Sequence, residues 1–296
     1  MKPVLVIDRS EDEARELRQH VVQSGFDCLP VFSGIPVTGS GDDGCSLILA
    51  GGTPAESDFA RLLGSLEERF PQIPVVTVTD SGPGGISTRE ALQSGITGSL
   101  PRNTVASELA WTLRTILDSG PDAVANPESA DRAGDVICYT IENNPELLPL
   151  VVAQVRRRLE NWPFPDPMEV LRMTVALGEA LDNALYHGNL ELSSDLRHGS
   201  SGAWRDESLR RRSTAPYRDR TIRFQGMFGE KAARFIIRDE GTGFDPLNQV
   251  DCTDSQNRER CSGRGLLLMR LYMDAVQFNP SGNEVTLIKH RPCAES

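Results

Sequence analysis

Along residues 1–120 short apolar runs, at 4–7, 47–49 and 75–78, alternate with helical patterns at 11–24, 57–69 and 87–94. Runs of about four apolar residues, with helices between them, predict strands buried on both faces of a parallel sheet. A last helical pattern at 105–117 closes the rhythm. Residues 118–134 (DSGPDAVANPESADRAG) then lose all periodicity and fill with Pro, Ser, Ala and Asp, which is linker composition. A chain of 296 residues has room for two domains. The expected organisation is a domain at 1–120, a linker at 121–135 and a second domain at 136–292 with an insert at about 190–220.

Hydrophobic content of 39% and charge of 25% let each half bury a core of its own. A net charge of −11 argues against a nucleic-acid surface, because phosphate binding needs clustered Lys and Arg. Six cysteines are scattered without a CxxC pair, which suits neither a zinc site nor a disulfide scaffold and predicts free thiols in a reducing cytoplasm. The five-residue apolar run in MKPVLVIDRSEDE is too short for a signal-peptide core or a membrane span. These features predict a soluble, cytoplasmic protein. One biased segment, 205–220 (RDESLRRRSTAPYRDR), is crowded with arginine, and its plain reading is a solvated excursion. Within it Tyr217-Arg-Asp-Arg220 is the expected interdomain or partner contact.

The second half carries three polar constellations in order. In residues 168–189 (MEVLRMTVALGEALDNALYHGN), Leu171, Leu177, Ala180, Leu181, Ala184 and Leu185 predict a helix with an apolar stripe. Glu179, Asn183 and His187 fall at i, i+4 and i+8, so a carboxylate, an amide and an imidazole line one edge of it. Gly188 and Asn189 are expected to end this helix as a C-cap, leaving the polar row at an opening. Residues 221–228 and 231–238 then read as a hairpin around Gly229-Glu230, and the second strand runs into 239–245, DEGTGFD. An aspartate at a strand end can accept a hydrogen bond from an exocyclic amine, and glycines let the backbone approach a flat ring or a phosphate. Finally 262–269 (SGRGLLLM) is a glycine-rich turn opening a helix, which presents backbone N–H groups to phosphate oxygens.

Taken together and in this order, ExxDNAxxHGN, DEGTGF and GRGLLLM resemble the N box and the two glycine boxes of the GHKL (Bergerat-fold) ATPases, and in particular the anti-sigma-factor serine kinases. The resemblance covers about 137–289 and implies an α/β sandwich that binds ATP with Mg2+. It implies Glu179 as general base, Asn183 as the magnesium ligand and Asp239 as the acceptor for the adenine amine. It further implies that Gly241 and Gly243 shape the nucleotide pocket, and that Gly263, Arg264 and Gly265 approach the phosphates under a lid at 246–262. His187 is counted with the nucleotide contacts, either on phosphate or ribose or as a capping histidine. Two features depart from the family. The insert at 190–220 is long for a compact serine kinase, and the four histidines (His20, His187, His198, His290) supply no phosphorylatable helix pair upstream.

The expected activity is transfer of the γ-phosphoryl group to Ser or Thr of a partner protein, a sigma factor or an antagonist of the anti-anti-sigma kind. The alternatives are a non-catalytic module whose partner affinity ATP sets by ordering the lid, and a free-standing ATPase. Both leave the oligomeric state, a homodimer included, open.

The pattern VLVID…SLILAGG…IPVVTVT…GSLPRN resembles the receiver domain of response regulators, a doubly wound, flavodoxin-like parallel sheet, across residues 2–118. That family needs an acidic pair, a phosphoacceptor aspartate, a hydroxyl and a lysine. Here Asp8 and Arg9 stand for the pair, Gly51 for the phosphoacceptor, Thr79 for the hydroxyl and Arg102 for the lysine. The resemblance therefore implies a pseudo-receiver that docks or dimerises, with Asp58 and Asp80 as surface residues. Nine Lys and Arg against sixteen Asp and Glu over 1–120 give a net −7, so a basic partner face is expected.

Overall fold

The computed structural model describes residues 3–29, 32–33, 45–52, 59–70, 73–80, 85–117, 135–162, 166–193, 201–245 and 264–291. The linker 118–134 and residue Asp58 lie outside them. The chain divides into two compact units, Met1–Ser119 with Val136–Thr140, and Gly120–Asp135 with Ile141–Ser296. Among the described residues no helix is long and apolar enough to cross a membrane, and Cys28, Cys45 and Cys138 are not joined in disulfides.

In the first unit β1 (Val4–Asp8), β2 (Phe32–Ser33), β3 (Leu47–Ala50), β4 (Val75–Thr79) and β5 (Gly98–Pro101) form a parallel sheet in the order β2-β1-β3-β4-β5. This is the flavodoxin-like doubly wound order. Helices α1 (Glu11–Gln23), α2 (Phe59–Arg69), α3 (Thr88–Gln93) and α4 (Val105–Leu117) connect and follow the strands. Ser10 and Ser87 start α1 and α3 by accepting the N–H of Glu13 and Glu90, as serine does at an N-cap. One core cluster joins Val4, Val6, Leu47, Leu49, Val76 and Val78 to Leu17 and Val21 of α1 and to Leu109 and Leu113 of α4. The alternate strand residues Leu5, Ile7 and Ile48 are buried too, so the sheet is covered on both faces, as the apolar runs require.

Residues 136–140, expected at the start of the second domain, belong to this unit. They lie in β6 (Asp135–Glu142), which pairs parallel to β5 with Gly98 opposite Cys138 and Ser99 opposite Tyr139. The fully buried Tyr139 donates its hydroxyl to the Ile96 carbonyl at 2.9 Å.

The second unit is an α/β sandwich. Strands β7 (Thr221–Phe228), β8 (Ala232–Arg238), β9 (Ala275–Phe278) and β10 (Glu284–His290) make an antiparallel sheet in the order β7-β8-β10-β9. Against it pack α5 (Leu148–Asn161) and α6 (Pro167–Asp182), and α8 (Arg264–Tyr272) packs on α6. A further helix, α7 (Ser201–Arg212), lies in the insert. Alternation in β8 buries Ala233, Phe235 and Ile237 against the apolar stripe of α6, which buries Met173, Leu177, Ala180 and Leu181. The hairpin falls where the sequence predicted it, and Trp162 at the end of α5 donates Nε1–H to the Gly229 carbonyl in its turn at 2.7 Å.

At the C-terminal end of the first sheet the residues aligned with a receiver's acid site form a closed ionic cluster. Asp8 is fully buried, and the Arg102 guanidinium reaches its Oδ2 at 2.9 Å, its Oδ1 at 3.2 Å and the Gly51 carbonyl at 2.7 Å. Arg9 pairs with Glu13 and with Asp80. Asp80, expected on the surface, is thus a member of the cluster, and its carboxylate also lies 3.6 Å from Arg102. A side chain at Gly51 would have to share space with Asp8 and with Arg102, whose Nη2 lies 2.8 Å from where its Cβ would be. Burial pushes the Asp8 carboxyl above its ordinary range, against the Arg9 N–H and the Arg102 charge, which hold it down. Arg102→Met should leave that carboxylate buried and unpaired, costing about 3 kcal/mol at neutral pH. Urea unfolding should show the loss shrinking as pH falls, since a protonated Asp8 no longer needs the guanidinium.

Candidate functional site

The site is organised along α6. Asp166 caps it by accepting the Met168 N–H, with Pro167 in the first turn, and its apolar stripe fixes which edge faces away from the sheet. Glu179 and Asn183 lie half-buried on that edge. The first turn of α8 crosses them: a Cβ at Gly265 would stand 2.6 Å from Glu179 Oε2 and 3.5 Å from Asn183 Nδ2. Absence of a side chain at Gly265 therefore brings the α8 N-terminus directly onto the carboxylate and the amide. Helix N-termini carry partial positive charge and unpaired N–H groups, so this junction suits an anion beside a carboxylate and an amide. Of the other residues expected there, Arg264 opens α8, while Gly263 and the lid at 246–262 lie outside the described residues.

Beyond Asp182 the helix does not end as an α-helix with a glycine C-cap. It continues as a π-helix over Asn183–Asn189, with the Leu190 N–H bonded to the Leu185 carbonyl at 2.9 Å. Wider winding of this kind is rare and gathers at functional sites. Here it carries Gly188 against Asp239 and turns Asn189 inward. Asn189 is fully buried rather than open to solvent. Its Oδ1 accepts the Glu240 N–H at 2.7 Å, and its Nδ2 donates to Asn143 Oδ1 at 2.7 Å and to the Thr221 carbonyl at 2.9 Å. His187 is exposed, and its Nδ1–H donates to the Leu192 carbonyl at 2.7 Å, which pins the chain leaving the helix.

Asp239, at the end of β8, is the buried acid of the site at 8% exposure. A Cβ at Gly188 would lie within 2.6 Å of both carboxylate oxygens, and one at Gly241 would collide with the Gly188 carbonyl. The carboxylate thus sits against backbone that only glycine permits. The Gly241 N–H donates to Oδ1 at 2.9 Å, and Asn283 holds the Asp239 backbone by accepting its N–H at 3.0 Å and donating Nδ2–H to its carbonyl at 3.2 Å. Burial pushes the Asp239 carboxyl up to about 6, while the Gly241 N–H and the charges of Arg220 and Arg238 act downward. Gly243 has φ +70° and faces the Ser281 carbonyl, and Gly282, also at φ +70°, faces Phe244. These two left-handed glycines let the loop after β8 nest on the loop before β10, where Phe244 meets Phe278 edge to face at 5.1 Å.

Glu179, Asn183 and Gly265 are therefore brought together at one place on the helix, and Asp239 and Gly241 at another, beside Gly188. Nine positions of helix, Glu179 to Gly188, separate them, the later ones wound as a π-helix. Sequence reasoning passed over Asn143, Gly282 and Asn283 and read Gly188 and Asn189 only as a helix stop. The Ser281-Gly-Asn283 turn signal was present but carried no chemistry on its face.

A helix-backed antiparallel sheet, with a buried acid between glycines and a carboxylate–amide pair under a helix N-terminus, is an arrangement suited to a nucleotide. The chain matches the histidine kinase-like ATPase domain over residues 141–289, and it belongs to that family. Comparison with curated proteins yields no match. Among solved structures, the RcsB response regulator of Salmonella typhimurium is similar at 14% identity and a TM-score of 0.32, over 54% of this chain and 84% of that one.

Two glycines of the same helix should respond oppositely to alanine. Gly188→Ala forces a methyl into the Asp239 carboxylate and should destabilise the protein by about 2 kcal/mol. Gly178→Ala meets no atom within 4 Å and should stabilise it by roughly 0.5 to 1 kcal/mol through helix propensity. Urea unfolding of the two variants beside the parent protein checks both.

Proposed function

We propose that the second unit binds ATP with Mg2+ and transfers its γ-phosphoryl group to a Ser or Thr of a partner protein, in the manner of anti-sigma-factor kinases. The observation that carries the reading is the meeting of Glu179, Asn183 and the Gly265 end of α8 on the same helix that backs the buried Asp239. In this assignment the Asp239 carboxylate takes the Gly241 N–H on Oδ1 and an adenine amine on Oδ2. The phosphates lie toward the α8 N-terminus, and Glu179 takes the hydroxyl proton. Gly243 shapes the base end, Gly263 and Arg264 are assigned to the phosphates, and His187 orders the chain leaving the helix through the Leu192 carbonyl.

Among the described residues no group of three or more His, Cys, Asp or Glu could hold a metal ion. In this assignment Mg2+ would be held by the amide oxygen of Asn183 together with phosphate oxygens and water, an ion that keeps few protein ligands when it binds with a phosphate substrate. When bound, the ion would neutralise charge on the phosphates. The first unit, with Arg102 locked on Asp8 and glycine at position 51, is assigned a docking role toward a basic partner face, in a protein of the cytoplasm.

Glu179→Gln should keep ATP affinity within about threefold and lower label transfer from γ-labelled ATP to an extract protein by about a hundredfold or more. Calorimetry together with the labelling assay separates the two effects. Unchanged labelling by the variant would defeat the base assignment, while ATP binding without any transfer would favour an ATP-gated binding module. A second expectation concerns pH. The ionised Asp239 accepts the amine, so ATP affinity should rise as pH climbs through about 6 and level off above it. Titrations from pH 5 to 8 in constant ionic strength test this, and a flat profile would remove Asp239 from adenine recognition.

A further inference from the structure

We infer that the arginine-rich insert is a brace of the nucleotide site that positions Gly188 and Asp239, and that Arg211, Tyr217 and Arg220 are its positioning residues. This rests on the ATP-binding reading of the site and extends it to a segment expected to be a partner surface.

Residues of the insert close on the chain directly after Gly188. Arg211, on α7, donates Nη1–H to the carbonyls of Leu190 at 2.7 Å and Glu191 at 2.8 Å. Arg220, just before β7, donates Nη1–H to the Asn189 carbonyl at 2.7 Å and pairs with Glu191 at 2.9 Å. Both guanidinium carbons stand 5.1 Å from the centre of the Tyr217 ring, so the aromatic face attracts each cation. Glu207 and Glu191 balance the two charges. Three successive carbonyls, Asn189 to Glu191, are thereby held by two arginines stacked on one tyrosine. Glu191 itself has φ +50°, a left-handed conformation that a non-glycine residue adopts only when its surroundings impose it.

A second set of bonds leads from the insert to the acid. The Asn143 Nδ2–H is donated to the Tyr217 carbonyl at 2.6 Å, and Arg212 Nε–H to the Asn143 carbonyl at 3.0 Å. Asn143 Oδ1 receives Asn189, which in turn holds the Glu240 N–H next to Asp239. Glu240 then receives the Thr221 N–H at 2.6 Å, returning to the strand that follows the insert. Seven residues before Arg211, and so on much the same face of α7, Trp204 packs on Tyr186 of the π-helix at 4.8 Å between ring centres. Only Arg218 and Asp219 of the Tyr217–Asp219 turn point outward, at 57% and 63% side-chain exposure, and they pair with each other. Alternation between inward Tyr217 and Arg220 and outward Arg218 and Asp219 is what a brace requires and a contact strip does not.

The test uses the full chain, with two readouts: ATP affinity by calorimetry at pH 7.5 and titration of the Asp239 carboxylate by 13C NMR. The charges bearing on that carboxylate are Arg220 and Arg238, beside the Gly241 N–H. Arg220→Gln should weaken ATP binding about tenfold and move the Asp239 midpoint upward, and Arg220→Lys should bring the midpoint back toward the parent value. Tyr217→Leu, a milder change that keeps both charges, should weaken ATP binding to a similar extent. Arg218→Ala should match the parent protein in both readouts. If Arg220→Gln and Tyr217→Leu bind ATP as the parent does with the Asp239 midpoint unmoved, the brace is refuted. A parent chain that binds no ATP would overturn the nucleotide reading instead, and the response of Asp239 to Tyr217→Leu, which keeps both charges, would still decide the brace.

Discussion

Burial of the Asp239 carboxylate is the constraint that the second unit is arranged to meet. A carboxylate taken out of water needs donors close by and walls that do not crowd it. The Gly241 N–H supplies a donor from one side, and Gly188 supplies a wall without a side chain from the other. Those two glycines belong to different elements, the loop after β8 and the end of the long helix, so the helix end has to arrive at a set depth and angle. An α-helical continuation and a π-helical one deliver residue 188 to different places. The observed π-helix, pinned through Asn189 to Glu240, Thr221 and Asn143, is the local geometry that satisfies the encounter.

The features legible in the sequence were those with a local period or a local composition. Short apolar runs mark β1, β3 and β4, the stripe from Leu177 to Leu185 marks the site helix although Leu171, counted in the same stripe, is exposed, and the hairpin falls around Gly229 as expected. Glu179, Asn183 and Gly265 meet because helix spacing and a glycine-opened helix are both readable signals. Other features depend on partners distant in the chain. No residue between Asn183 and Asn189 announces π winding, since the groups that hold its Asn189 end, Thr221 and Glu240, lie across the fold. Residues 136–140 follow a linker-like stretch and so read as the opening of a new domain, yet their apolar strand pairs with Gly98 and Ser99. Arg205, Arg210 and Arg218 of the insert are exposed, as its charge suggests, but an arginine count cannot distinguish them from Arg211 and Arg220, whose guanidinium groups cap backbone carbonyls.

Arginine has a parallel use in the first unit. Where an acid cluster can hold an exchangeable cation, Asp8 instead holds the guanidinium of Arg102, tethered to the backbone and charged at every physiological pH. Such a charge is always present, and glycine at position 51 leaves the space it fills. In both units, then, arginines act as permanent internal counterions and carbonyl clamps, which fits a chain whose acids outnumber its bases by 42 to 31 and still have to be packed near one another.

The two ends of the site differ in exposure, and their tasks under the proposed reading differ accordingly. Glu179 and Asn183 are half-exposed, as groups must be that meet a phosphate, an ion and an incoming hydroxyl. Asp239 is nearly sealed, and burial holds its carboxyl up to about 6. That displacement is a penalty on the charged form that an arriving donor relieves. A ring bearing an exocyclic amine recovers it, whereas a ring presenting a carbonyl at the same place would set acceptor against acceptor in a dry site. Discrimination of that sort is steep because the wrong ligand leaves buried groups unpaired rather than merely failing to add a contact. Under that reading, base selectivity arises from the same burial that brings Gly188 and Gly241 together, and the brace proposed around Asn189 serves recognition by keeping that geometry closed.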